Sequence, residues 1–308
     1  MSLYDQKVSV ENNRSGFDRW VEKQGWLDQP AEVVQGWVLK LYEVLGGPGA
    51  TLKSLMHGTK PVGHPLHPAL ISVPLGAFAV MVLADWLAIL SRAIPSEVGP
   101  FALIVGILGM LAAAVTGYTD YTGTYGKERR YATVHGATMT LLLIAMLVSL
   151  ALRYGHSATL FFTGVLISTA AYLVMLWGAY LGGHLSFGFG TMVNHNAFAE
   201  GVTDWTEVGP VKKFAEGKPV RVQAGDMAVM VVRLSGTLNA IAASCSHAGG
   251  PLDEGSFEGD IVTCPWHGSK FCVADGRVEN GPATFDQPAF LVREEHGKVE
   301  VRLPAPLH

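Results

Sequence analysis

Charge is scarce in this chain. Of 308 residues only 16% are charged, against about 25% in an ordinary soluble domain. The net charge of −4 leaves no basic surplus, so nothing suggests a partner held through nucleic-acid phosphates. Cysteine is scarcer: three residues, an odd number. A disulfide framework is therefore not expected, which suits a reducing compartment. No G-x-G-x-x-G follows a candidate strand, so no nicotinamide or flavin fold is visible. Internal repeats and low-complexity tracts are also lacking. What the chain has in excess is apolar surface, with 49% hydrophobic residues.

That apolarity is concentrated between residues 69 and 181. Four stretches, 69–90, 99–118, 133–152 and 158–181, each reach the roughly 20 residues a helix needs to cross a bilayer. Four such runs in series point to a transmembrane bundle rather than a buried soluble core. The first 60 residues are polar and amphipathic and read as carrying no cleavable signal peptide. Within them Val33, Val34, Trp37, Leu41 and Leu45 recur at helical spacing, the pattern of a helix lying on the membrane or on the bundle. Lys127, Arg129 and Arg130 sit between the second and third runs, and Lys53 and Lys60 precede the first. The other two loops hold only Arg92 and Arg153. The positive-inside rule then places the N-terminus, the 127–130 loop and the C-terminus in the cytoplasm. Asp85 falls inside the first run and must face a partner or cavity rather than lipid; a hydrogen bond to a neighbouring helix is the expected role.

Histidines gather at one end of these runs. His64 and His67 precede the first, His135 opens the third, His184 ends the fourth, and His57 and His195 flank the set. Asp120 and Tyr121 join the same face, whereas His156 falls in a loop on the opposite side. Three interpretations fit this face. The histidines can be interfacial and satisfied by water, headgroups or helix ends. A haem b can be held between two of them from different helices, such as His67 and His135 or His135 and His184. A quinone or metal pocket is the third.

The sharpest signal lies further on. Cys245-Ser246-His247 and Cys264-Pro265-Trp266-His267 read C-x-H, sixteen residues, then C-x-x-H. Two thiolates and two imidazoles so arranged can hold a [2Fe–2S] cluster, with the cysteines on one iron and the histidines on the other. A Cys2His2 zinc site uses the same ligand types, but zinc fingers usually pair Cys with Cys and His with His. Ala248, Gly249, Gly250 and Pro251 after the first half, and Gly268 and Ser269 after the second, are small or turn-forming. They let backbone N–H groups approach sulfur. Cys272 is left over on an expected strand and reads as a small core residue.

These residues, with Leu252, Lys270, Phe271, Asp275-Gly276-Arg277 and Gly281-Pro282-Ala283, make residues 205–303 resemble a Rieske ferredoxin-type domain. The resemblance implies Cys245 and Cys264 on the buried iron, and His247 and His267 on the outer, more exposed one. Respiratory members brace the two loops with a disulfide; Gly250 and Trp266 stand at those positions here. They also carry a Ser and a Tyr that hydrogen-bond the cluster sulfurs. Ser269 is present, but Phe271 stands at the Tyr position and has no hydroxyl. Fewer donors to sulfur mean a lower potential, nearer to soluble ferredoxins or dioxygenase systems. No two-His-one-carboxylate iron site follows, so a complete Rieske oxygenase is not expected.

Residues 28–200 are similar to a bacterial four-helix membrane family of unknown function. The carriers are Leu55-Met56-His57-Gly58-Thr59, Gly63-His64-Pro65-Leu66-His67-Pro68-Ala69-Leu70, Val73-Pro74-Leu75-Gly76, Gly117-Tyr118-Thr119-Asp120-Tyr121 and Leu181-Gly182-Gly183-His184-Leu185.

The expected architecture is multidomain: an amphipathic helical segment at 1–62, a four-helix transmembrane domain at 63–185, a linker at 186–203 and an all-β Rieske domain at 204–304. Within the last, short β-type runs are expected at 220–222, 227–232 and 241–243, around Val292 and at 299–301. The expected function is one-electron transfer by a protein anchored in the bacterial inner membrane, with the Rieske domain in the cytoplasm. Cys245, His247, Cys264 and His267 would hold the cluster, and Ser269 would tune it. His64, His67, His135 and His184 would serve haem b or quinone. The partners are then membrane lipid and a redox protein (a reductase or ferredoxin) or quinone, with no nucleic acid. A non-catalytic module that senses oxidants or organises a membrane complex is the alternative.

Overall fold

Long apolar runs become long helices, and the β-branched runs after residue 204 become sheets. The computed structural model describes residues 15–304. Among these, residues 15–41 and 70–189 form a helical unit, and residues 42–69 and 190–304 form a second unit that contains the sheets.

The helices are α1 (Gly16–Glu22), α2 (Asp28–Val44), α3 (Gly46–His57), α4 (Leu66–Leu70), α5 (Ser72–Leu90), α6 (Val98–Tyr121), α7 (Gly126–Arg153) and α8 (Ala158–Phe189). Four spans, α4 with α5, α6, α7 and α8, are long and apolar enough to cross a membrane. Their inner faces meet around Phe78, Met81, Leu103, Met110, Met146 and Met175. Gly106 permits the closest of these contacts, since a Cβ there would lie 2.2 Å from the Phe78 ring. Leu83, Leu108 and Leu141 point outward and stay exposed, as lipid-facing leucines do.

Two of these helices run further than their apolar stretches. α7 begins at Gly126, so Lys127, Arg129 and Arg130 lie in its first five residues rather than in a loop. Acidic partners from the N-terminal helices hold them there: Lys127 pairs with Glu22, Arg129 with Glu32, and Arg130 with Asp28. Tyr131 donates to Asp18 Oδ1 at 2.8 Å. α8 continues to Phe189 and so includes His184 and Gly188. On α2, Gln35 turns inward and donates to the carbonyls of Tyr121 and Thr124, while Val33, Trp37 and Leu41 face out. Asp85 finds its partner in Arg153, at 2.5 and 2.7 Å, with both side chains buried. Ser149 and Ser168 complete the guanidinium's shell.

In the second unit one sheet runs β1-β10-β9-β4-β3-β2 and the other β5-β6-β7-β8. The strands are β1 (Thr206–Pro210), β2 (Val220–Ala224), β3 (Met227–Leu234), β4 (Thr237–Ala242), β5 (Ser256–Glu258), β6 (Ile261–Thr263), β7 (Lys270–Cys272), β8 (Val278–Asn280), β9 (Ala289–Glu295) and β10 (Lys298–Arg302). All named pairs are antiparallel. Val222, Val229, Val231, Ala240, Phe290 and Val299 fill the core of the larger sheet. A second core, with Ile241, Leu252, Val262, Phe271 and Val278, underlies the small sheet and takes in Cys245 and Cys264. Cys272 is buried on β7, as its surroundings in the sequence suggest.

Candidate metal centre

The two motifs occupy two loops of one design. The first follows β4 and the second joins β6 to β7. In each, the cysteine N–H donates to the carbonyl five residues on: Cys245 to Gly250 and Cys264 to Ser269, both at 2.8 Å. In each, the glycine four residues on returns a bond to the cysteine carbonyl, from Gly249 at 2.8 Å and from Gly268 at 3.1 Å. These glycines have φ of 76° and 73°, a region an L side chain adopts only at a cost. The repeated turn explains why glycine stands at the same offset from both cysteines.

The turns aim backbone amides at sulfur. His247 and Ala248 direct theirs to Cys245, and Trp266 and His267 direct theirs to Cys264. Each of these amides comes earlier in its loop than the glycine, Gly249 or Gly268, that permits the turn. Both sulfurs are buried and lie within hydrogen-bonding reach of each other. A hydrogen bond from Cys245 lowers the Cys264 thiol to about 6, and the same bond, with burial, pushes Cys245 up. A cation bound between them would take both as thiolates.

The imidazoles form the second pair. The rings of His247 and His267 are 4.9 Å apart and nearly perpendicular, and both are half-buried. Burial, then the neighbouring His267, His57 and His195, hold His247 at about 3; burial holds His267 at about 4. Both are neutral at pH 7, the form that ligates metals. His247 Nδ1 is buried and has no hydrogen-bond partner, a costly state for a polar atom unless a ligand meets it.

Gly250 and Trp266 touch. A Cβ on Gly250 would lie 2.8 Å from Cys264 Sγ and 3.1 Å from the indole. A bare backbone thus meets an indole where the two loop tips approach each other. Ser269 is fully buried, and its Oγ accepts from the Ala283 amide at 3.2 Å, which leaves its O–H to donate elsewhere. Phe271 is packed in the core under the loops.

Residues 190–196, expected as linker, pack on the first loop. The His195 amide donates to the Ser246 carbonyl at 3.1 Å, and Asn196 Nδ2 to the Ser244 carbonyl at 2.9 Å. The other histidines divide between the units. His57, His64 and His67 belong with the sheets, and His135 and His184 with the helices. His64 is exposed with Nδ1 at 3.0 Å from the Pro65 carbonyl, and His67 is half-buried on α4. His135 Nδ1 lies 3.0 Å from the Gly178 carbonyl, and a Cβ on Gly182 would lie 3.1 Å from its ring. His184 stacks on Tyr131 at 4.6 Å. Both rings therefore fill the seam between α7 and α8. Thr59, which the chemistry of the motifs did not single out, is buried beside the 281–283 segment.

The Rieske [2Fe-2S] domain family model matches residues 204–301, and that of the Predicted membrane protein family (DUF2231) matches residues 63–195. The ferredoxin component of biphenyl 2,3-dioxygenase from Rhodococcus jostii is 36% identical over 29% of this chain and 83% of its own length. The cytochrome b6-f complex iron-sulfur subunit of Chlorobaculum tepidum is 34% identical over 31% of this chain; the chain spans only 52% of that protein. Among solved structures, the ferredoxin of carbazole 1,9a-dioxygenase from Nocardioides aromaticivorans is 27% identical and is covered in full by 33% of this chain, with a TM-score of 0.32. A Rieske domain implies a [2Fe–2S] cluster, and the second match with four apolar helices points to a multi-pass membrane protein. The chain belongs to the Rieske [2Fe-2S] family, its Rieske domain joined in one polypeptide to a DUF2231 membrane domain.

Proposed function

We propose that the chain is a membrane-anchored one-electron carrier whose cluster is held by Cys245, His247, Cys264 and His267. One observation carries this reading: two buried sulfurs within reach of each other and two half-buried imidazoles side by side, on two matching glycine turns. A two-iron cluster asks each iron to take two protein ligands, and this donor set fits it. When bound, the cluster accepts and releases single electrons. The chain's own residues do the rest. The amides of His247, Ala248, Trp266 and His267 offset negative charge on sulfur, and Ser269 has an O–H to add. The half-buried imidazoles are the edge nearest solvent and so the side for electron exchange.

Phe271 in place of a hydroxyl donor, and Trp266 against Gly250 in place of a disulfide, favour a ferredoxin-like potential. It should fall toward the lower end of the roughly −150 to +300 mV spanned by such centres. A protein reductase, or a ferredoxin-linked one, is then the fitting donor, and quinol the less fitting. We read the helical unit as the anchor, set in a bacterial inner membrane with the Rieske domain on the cytoplasmic side. The packing of His135 and His184 within the α7–α8 seam favours a structural role for them over haem b.

The test is a redox titration of the full chain in detergent, followed by visible and EPR spectra. A single one-electron transition with a Rieske-type reduced signal, slow reduction by decylubiquinol and no Soret band is expected. Rapid quinol reduction would overturn the choice of donor, and a Soret band would overturn the role given to the helical histidines.

A further inference from the structure

The C-terminal unit is not built from the Rieske sequence alone. Residues 42–69 belong to it, although about 200 residues separate them from the metal loops. The segment His57-Gly58-Thr59 is fully buried there. Gly58 ends α3 with φ 83°, and a Cβ on it would lie 1.8 Å from the His64 carbonyl oxygen. Only glycine makes this turn. It delivers Thr59, whose Oγ1 donates to the carbonyls of Gly281 at 2.8 Å and Ala283 at 3.1 Å, across 222 positions of sequence in the first case. Those carbonyls belong to the segment that covers the second metal loop. A Cβ on Gly281 would lie 2.6 Å from Ser269 Cα, and the Ala283 amide donates to Ser269 Oγ. Lys60 and Asp286 form an ion pair just outside, at 3.9 Å.

We propose that Thr59 is a positioning residue of the cluster site, acting through the 281–283 segment to fix the orientation of the Ser269 hydroxyl. This rests on the cluster reading given above. The Ala283 amide occupies a lone pair of Ser269 Oγ, so its proton points away from that amide and can serve a sulfur. If Thr59 Oγ1 is lost, the half-buried Gly281 carbonyl and the buried Ala283 carbonyl lose their donor, which destabilises the segment where it stands. The Ala283 amide then no longer fixes the hydroxyl, a hydrogen bond to sulfur weakens, and the potential falls. The signature His57-Gly58-Thr59 thus serves the metal loops and not only the membrane helices that it precedes in sequence.

The experiment compares full-length protein with Thr59→Val, which keeps the shape, and Thr59→Ser, which keeps the donor. EPR-monitored titration should give Thr59→Val a midpoint below wild type with altered g-values, and Thr59→Ser the wild-type values. Hydrogen exchange of residues 278–285 should speed up in Thr59→Val alone. A Thr59→Val protein with the wild-type midpoint and exchange overturns the inference. So does loss of the signal in Thr59→Ser with the wild-type signal kept in Thr59→Val, because packing of the methyl group would then be the requirement. Loss in Thr59→Val alone supports it. If wild type itself shows no Rieske signal, the cluster reading fails, and the exchange data still decide whether Thr59 clamps the segment.

Discussion

Gly250 shows how a single atom decides the site. Its missing Cβ leaves the space into which Trp266 and Cys264 Sγ fit. Gly250→Ala should overpack the loop tips, where such strain costs about 1–3 kcal/mol. We expect a full chain that remains folded but retains much less iron after purification, measured by metal analysis. Wild-type iron content would show that the indole can move aside. At this scale the sequence was informative, because the ligand set needs particular residue types at particular offsets. Cys245, His247, Cys264 and His267, the ligands proposed above, could be picked out as candidates before any fold was known, and so could the absence of a hydroxyl at Phe271. What could not be read was the contact between Gly250 and Trp266. Nothing in a glycine's identity names the group that fills its vacant space.

Elements were legible where one physical demand dominates. Four apolar runs gave four helices, and the runs at 220–222, 227–232 and 299–301 gave β2, β3 and β10. Helix ends were harder. α7 extends across Lys127, Arg129 and Arg130 because Glu22, Glu32 and Asp28 neutralise them, and no local pattern reports a distant partner. The short strands β5, β6 and β8 are three residues each, too short to show alternation. Asp85 could be assigned a partner in principle but not its identity. The pair with Arg153 joins α5 to α7 in a buried setting, where removing one charge strands the other at about 3–5 kcal/mol. Asp85→Ala should therefore lower the thermal midpoint of the detergent-solubilised protein sharply. Asp85→Leu with Arg153→Met should recover most of the loss, since an apolar pair of similar volume carries no stranded charge. Equal loss in the double variant would mean that the hydrogen bonds from Arg153 to Ser149 and Ser168 matter more than the pair.

Over the whole molecule, two families meet in one chain, but the two compact units do not follow the order of sequence. Residues 42–69 and 190–196 precede the Rieske match and still pack with its loops. Composition shifts mark where apolarity begins and ends; they do not say which neighbour a polar segment joins. Orientation in the membrane is a property of this scale too. The orientation proposed above rests on Lys127, Arg129 and Arg130 at the start of α7, with Lys53 and Lys60, under the positive-inside rule. A C-terminal green fluorescent protein fusion should fluoresce in bacterial cells, and a C-terminal alkaline phosphatase fusion should be inactive. The reverse pattern would invert the topology.

Mixed coordination by two cysteines and two histidines underlies every functional statement made for this chain. Pulsed EPR of the reduced full-length protein, grown with 15N-labelled histidine, tests it most directly. Couplings from two directly bound histidine nitrogens are expected, and they should be lost or halved in His267→Cys. A reduced cluster without nitrogen coupling, or a purified protein that holds zinc in place of iron, would contradict it.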